Sequence, residues 1–251
     1  MKKHTSSGTI LALSLALAAG LSAQARKPKP TAGRDVDIKA ADGVTLKGTY
    51  YAAAKTAPGI LLLHQCNMDR HAWDHLAADL NAAGFNVLTL DFRGFGGSGG
   101  EHTTDFAKLG PVMQQKWPGD VDAAYAWLTS QADVDKSTMG AGGASCGVTQ
   151  AADLAERHPE IKALLLMSGS VSPRAKIHIE ATPSLALYGI ASKEDKGPAA
   201  GITAALDASR SADKVLKIEP GSLHGVPIFD RYRSLEPAVV RWFAAQLLQK
   251  H

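Results

Sequence analysis

The sequence predicts an α/β fold, a doubly wound and mostly parallel sheet with helices on both faces. Three observations carry that expectation. A continuous apolar run at 59–63 and the stretch 162–167, apolar after Lys162, suit strands buried on both faces. Stretches with helical spacing lie between the strands, as crossovers between parallel neighbours require. At Gly142-Gly143-Ala144-Ser145-Cys146-Gly147, an Ala/Gly-rich strand turns abruptly into a helix and leaves one serine at the crest.

Taken in order, the chain opens with Met1-Lys2-Lys3-His4, an apolar run over 10–19 and then Ala23-Gln24-Ala25. A basic start, a short apolar stretch and an A-x-A site read as a secretory signal peptide, 1–25, cut after Ala25. The apolar run is too short to span a bilayer, and no cysteine follows the site to take a lipid. The expected product is periplasmic or secreted, with no membrane anchor. Cleavage removes Lys2 and Lys3 and no acid, so the formal charge falls from +3 to +1. A near-neutral chain gives no reason to invoke nucleic acid or an anionic membrane. The basic run Arg26-Lys27-Pro28-Lys29-Pro30 suits a solvated tail, 26–34, ahead of one domain over 35–251.

Residues 35–39 and 44–51 alternate polar and apolar side chains across Asp42-Gly43, the pattern of a hairpin. The first buried strand, 59–63, ends at His64-Gln65-Cys66-Asn67. Trp73, Leu76, Ala77 and Leu80 then recur at helical spacing, and Gly84 stops the helix. The strand 86–92 leads into Arg93-Gly94-Phe95-Gly96-Gly97-Ser98-Gly99-Gly100, which spells G-x-G-x-x-G. A dinucleotide fingerprint opens directly into a helix and meets an acid at the next strand's end. Here 101–116 carries no clear amphipathic helix, and Asp120 sits after Pro118 at a helix start. A dinucleotide site is therefore not expected. A helix over 120–128 follows, and 137–142 is the strand entering the serine turn. The helix after it, 148–157, carries Ala151, Ala152 and Ala155, small enough to lie close on a sheet. Further strands fall at 184–188 and 214–218, with an alanine-rich helix over 198–209 between them. A long amphipathic helix over 229–250 closes the chain, and 168–183 is too short to hold a sizeable cap.

Gly143, Ser145 and Gly147 make a G-x-S-x-G nucleophile elbow, whose strained turn needs small residues on either side of the serine. The helix behind it aims backbone N–H groups and partial positive charge at the same place. A serine hydroxyl becomes a good nucleophile only when an imidazole takes its proton, and the imidazole needs a carboxylate to fix its tautomer. Beyond the strand 184–188 lie Glu194 and Asp195, and beyond 214–218 lies His224-Gly225. Ser145 and His224 are thus the candidate nucleophile and base, with Asp195 or Glu194 as the acid. Asp91 and Arg93 read as holding the glycine loop. His64, Cys66, His71 and His75 invite a metal, and His71 and His75 share a helix face at i, i+4. No carboxylate cluster accompanies them, so surface histidines are expected, and no metal or cofactor.

On these residues the chain resembles the α/β-hydrolase fold, in particular its compact dienelactone-hydrolase-like and serine-esterase-like members. The matching pieces are the elbow at Ser145, Asp-Phe-Arg-Gly-Phe-Gly-Gly-Ser (91–98), the acid loop near Asp195 and the His224-Gly225 loop. The resemblance implies hydrolysis of a small ester or thioester through an acyl-enzyme, with no metal or cofactor. Two departures stand out. Dienelactone hydrolases use a cysteine nucleophile; Cys146 in that role would place bulky Val148 where the elbow needs a small residue, so Ser145 is preferred. The family also commonly has His-Gly after the third strand, where this chain has His64-Gln65.

By the same resemblance, Cys66 offers a second oxyanion N–H beside that of Cys146. Two donors that converge on one oxygen lie close together, so their Cα atoms can fall within the roughly 4.4–6.8 Å that a disulfide spans. These are the only two cysteines, and export removes them to a compartment where the bond persists. A Cys66–Cys146 disulfide is expected, with two separate thiols as the alternative. The leading expectation is an exported serine hydrolase of small, uncharged esters or lactones. A peptidase or amidase on this fold and a silent binding protein are the alternatives; substrate identity and oligomeric state stay open.

Overall fold

In the computed structural model, which describes Met1 and residues 31–248, eight strands form one sheet. The expected signal peptide (1–25), most of the tail (26–30) and the last three residues lie outside the described residues. Alternation across the Asp42-Gly43 turn gives β1 (Arg34–Lys39) and β2 (Thr45–Tyr51), paired antiparallel from Arg34 opposite Tyr50 to Lys39 opposite Thr45. β3 (Ala57–Leu63) is buried at every position, as a strand covered on both faces must be. It lies between β4 (Asn86–Leu90) and β5 (Val134–Ala144), parallel to both. β6 (Ile161–Met167), β7 (Ala186–Ser192) and β8 (Lys214–Glu219) continue the parallel sheet outward. The strand order is β1-β2-β4-β3-β5-β6-β7-β8, with the hairpin as the antiparallel edge, as expected.

Helices cover both faces. α1 (Asp74–Ala83), preceded by a 3-10 turn at Arg70–Trp73, packs Leu76, Ala77 and Leu80 on one side. The same side receives α7 (Ile228–Arg231) and α8 (Leu235–Leu247), through Phe229, Val239 and Phe243. The opposite side holds α2 (Phe106–Gln115), α3 (Trp117–Thr129), α4 (Cys146–Arg157), α5 (Pro173–Ala181) and α6 (Lys196–Ala208). No cap domain rises over the sheet among the described residues.

Three elements depart from expectation. α2 is a helix where none was legible; Asp105 caps it by accepting from Ala107 N–H at 2.9 Å, and Leu109 is its one buried residue. Val112 and Met113 also pack against the core, partly buried, but Gly110-Pro111 between them and Leu109 reads as a loop signal. α5 likewise buries only Ala175 and Ile179, one turn apart. The expected helix over 229–250 is two helices, broken between Arg231 and Leu235, where Tyr232 Oη donates to Pro220 O at 2.6 Å.

The glycine loop after β4 is held by ion pairs, as expected of Asp91 and Arg93. Asp91 is fully buried and accepts from Arg70 N–H at 2.7 Å, Gly97 N–H at 2.8 Å and the Arg70 guanidinium. Arg93 bridges Asp120 and Asp42, so Asp120 serves the loop from the start of α3. Asp42, gripped by Arg93, is held far below the usual carboxylate range.

His64 is also fully buried and stitches β3 to β4. Phe92 N–H donates to its Nε2 at 3.1 Å, which leaves the proton on Nδ1, and Nδ1–H donates to Gln65 O at 2.7 Å. Burial pushes its pKa below the ordinary histidine value. The sign follows: above about pH 6.5 both folded and unfolded states carry a neutral ring, and below it the unfolded chain takes the proton first. Stability is therefore complete at neutral pH and falls as pH drops through that value, by up to about 1.4 kcal/mol per unit. Urea unfolding at pH 7.5 and 5.5 should show wild type losing more stability between the two than His64→Asn, which has no ring to titrate.

Candidate active site

The C-terminal ends of β3, β5, β7 and β8 bring the candidate residues to one edge of the sheet. Ser145 sits between β5 and α4 with φ 52° and ψ −117°, a conformation uncommon for a residue with a Cβ. Its own N–H donates to Met167 O at 2.8 Å and its carbonyl accepts from Val148 N–H at 2.9 Å, so the turn is held from both sides. The flanking glycines are obligatory. A Cβ on Gly143 would lie 2.1 Å from Gly147 O, and one on Gly147 would lie 2.4 Å from Leu63 O. Ser145 remains partly exposed at the crest.

His224 lies in the loop after β8 and Asp195 in the loop after β7. His224 Nδ1–H donates to Asp195 Oδ2 at 2.6 Å. The Asp195 side chain is only 18% exposed, whereas Glu194 is exposed and enters the loop through its backbone N–H, which donates to Gly221 O at 3.0 Å. The structure thus brings Asp195, and not Glu194, to the histidine. Ser145 and His224 line one pocket of about 560 Å³. No hydrogen bond joins them among the described residues, and such bonds commonly tighten only with substrate in place.

The expected disulfide is present: Cys66 is bonded to Cys146, with Cα atoms 5.9 Å apart. It joins the loop after β3 to the first residue of α4. Neither Cys66 N–H nor Cys146 N–H has an acceptor among the described residues, which leaves both free for a ligand oxygen. Of the residues that invited a metal, Cys66 is in the disulfide and His71 Nδ1 pairs with Asp74 at 3.0 Å, whereas His64, expected at the surface, is fully buried because its ring joins β3 to β4.

Other pocket residues were not singled out in the sequence. Phe106 and Leu109 of α2, Phe95 and Met68 form apolar wall, and His102 and Asp69 are polar lining. His102 Nδ1–H donates to Gly94 O at 2.7 Å, tying it to the glycine loop. Gln65, which stands where the resemblance expects glycine, is 2% exposed and reaches across to Val226. The missing helix α2 concealed the pocket wall; the unexpected Gln65 was the one available signal for the contact with Val226.

The sequence model of the alpha/beta hydrolase fold matches residues 58–200, more than half of the chain. The chain belongs to the α/β-hydrolase fold family. That match includes the elbow and Asp195 and stops short of β8 and His224, whose place rests on the geometry above. Among solved structures of the fold, an esterase of Pyrococcus furiosus aligns over 85% of this chain and 92% of its own, with TM-score 0.64 and 19% identity. A dienelactone hydrolase of Anabaena variabilis aligns over 87% and 99%, with TM-score 0.65 and 21% identity. At such identities these likenesses show the fold alone. An uncharacterised protein of Mycobacterium tuberculosis is 34% identical over 139 residues, 55% of this chain and 46% of that protein. The chain thus spans about half the length of the curated relatives it matches.

The bond predicts two readings in solution. Denatured, unreduced protein should show no titratable thiol, and reduction should add the mass of two hydrogens. Since losing one oxyanion donor costs about 10²–10³ in turnover, reduction of the native hydrolase should lower kcat several-fold with KM nearly constant. Unchanged turnover in fully reduced protein would rule out a bracing role.

Proposed function

We propose that this α/β hydrolase is a serine hydrolase that cleaves small, uncharged carboxylic esters or lactones through an acyl-enzyme. The observation that carries the reading is the 2.6 Å bond from His224 to Asp195 beside a serine held in a strained turn on the same pocket. With Nδ1–H given to Asp195, His224 presents Nε2 as the base. It takes the Ser145 proton as Oγ attacks the substrate carbonyl, and Asp195 stabilises the resulting imidazolium. The oxygen of the tetrahedral intermediate is received by the N–H groups of Cys66 and Cys146. Collapse expels the alcohol, which takes the proton from His224. Water then attacks the acyl group by the same route and frees Ser145.

The pocket supports the substrate class. Among the described residues its lining contains Asp69 but no lysine or arginine, so an anionic substrate would find no permanent counter-charge. Esters bearing a carboxylate on the acyl chain should give a kcat/KM well below that of neutral esters of equal length.

Ser145→Ala, His224→Ala and Asp195→Asn should each keep the fold and lower kcat by about 10⁴-fold or more. Glu194→Gln should stay near wild type. Double variants should fall little beyond Ser145→Ala, because the groups act as one unit. Labelling by a fluorophosphonate probe reports the activated serine directly. Folded protein that takes no label would favour a silent binding protein over a hydrolase.

We further propose export to an oxidising compartment, supported by the disulfide and by the signal-like start. Intact mass of protein recovered from a periplasm should begin at Arg26. A mass that retains residues 1–25 would overturn this.

A further inference from the structure

The loop that carries His224 has few bonds of its own. Among the described residues, Ser222, Leu223 and His224 make no backbone hydrogen bond. The loop is held at its leading end by Glu194 N–H donating to Gly221 O, and through the His224 ring by Asp195. At its trailing end a local turn, Ile228 N–H to Gly225 O at 3.1 Å, is joined by an anchor from far away in sequence. Val226 N–H donates to Gln65 Oε1 at 3.0 Å, across a separation of 161 residues.

Gln65 is built for that contact. It is 2% exposed, and its Nε2 donates to Asn67 Oδ1 at 2.8 Å. Because the Val226 partner is a donor, the amide has one possible orientation, with Oε1 toward the histidine loop. The backbone of Gln65 is also fixed, since its carbonyl accepts from His64 Nδ1–H and from Met68 N–H at 3.0 Å. Opposite it stands Gly225 at φ 68°, where an added Cβ would lie 2.0 Å from Gln65 Oε1. The glycine beside the histidine makes room for the glutamine amide. Gln65 also directly precedes Cys66, one of the two N–H donors in the reading above.

We propose that Gln65 is a positioning residue, tying the oxyanion loop after β3 to the loop that carries His224, so that the base and the oxyanion donors keep one relative geometry. The proposal rests on the triad reading for its effect on turnover, though not for the tether itself. Displacing a catalytic group by about 1 Å can cost as much as about 10²-fold in rate, so a lost tether should be visible in kcat. Neither Gln65 nor Val226 is among the described residues that line the pocket, so KM should move little.

The test compares wild type, Gln65→Met and Gln65→Glu. The measurements are kcat and KM on a short-chain neutral p-nitrophenyl ester, serine titre by fluorophosphonate, and amide hydrogen exchange over 222–228. Methionine keeps the length and fills the space but accepts no hydrogen bond. It should lower kcat per titrated serine by about tenfold or more, hold KM within about twofold, and speed exchange over 222–228. Glutamate restores an acceptor for Val226 N–H and should recover most of the protection and most of the turnover. A role confined to filling space would leave Gln65→Met equal to wild type, and that result would overturn the proposal. So would a loss that falls on KM alone, or unchanged exchange over 222–228. If Gln65→Met does not fold, Asn67→Ala frees the amide at its other end by changing an exposed side chain; faster exchange over 222–228 supports the tether and unchanged exchange overturns it. A wild type without activity or label would defeat the hydrolase reading, and the exchange comparison would still decide the tether.

Discussion

The site depends on one close approach, that of the first turn of α4 to the end of β3. A side chain at Gly147 would run into Leu63 O at 2.4 Å, so the helix can sit there only because that residue has none. The approach has three consequences at once. It forces the strained turn at Ser145, it brings Cys146 within bonding distance of Cys66, and it points the start of α4 at the space above the serine. The disulfide then covalently secures what the backbone packing arranges.

Around this junction the loops are held by groups buried deep enough to make their loss costly. Asp91 and Arg70 lie almost wholly out of water and satisfy each other, which keeps the glycine loop folded against the sheet. His64 serves the same purpose without charge, as a neutral ring with a donor on one side and an acceptor on the other. Such placements restrict the loops more tightly than solvent-exposed pairs would. The cost is a fold that becomes less stable in acid, where a buried neutral imidazole is disfavoured against the protonated ring of the unfolded chain.

The pocket is open and shaped by secondary structure with little core of its own. α2 contributes Phe106 and Leu109 to its wall while burying only Leu109. A wall so lightly anchored is suited to varying with substrate while the junction behind it stays constant. The likeness to esterase and dienelactone hydrolase structures, at 19–21% identity, is of the fold alone, with little sequence in common.

The central strands, the hairpin edge, the elbow and the serine–acid–histidine order were all determined by sequence, because each rests on local chemistry. Buried strands need unbroken apolar runs, a tight hairpin turn needs Asp-Gly, and a strained serine needs glycine on either side. α5 was hidden, since a helix that buries only two side chains carries little periodic stripe, and α2 was hidden because Gly110-Pro111 interrupts its apolar positions Leu109, Val112 and Met113. The final helix was overextended, because the break at 232–234 is set by the tertiary contact of Tyr232 with Pro220 O. The choice between Asp195 and Glu194 also belonged to tertiary structure. Adjacent residues in one loop differ only in direction, and direction follows from where β7, β8 and α6 place that loop. Gln65 stood in the sequence as an anomaly with no evident partner. Its partner lies 161 residues away, and only the folded chain brings Val226 N–H within 3.0 Å of its amide.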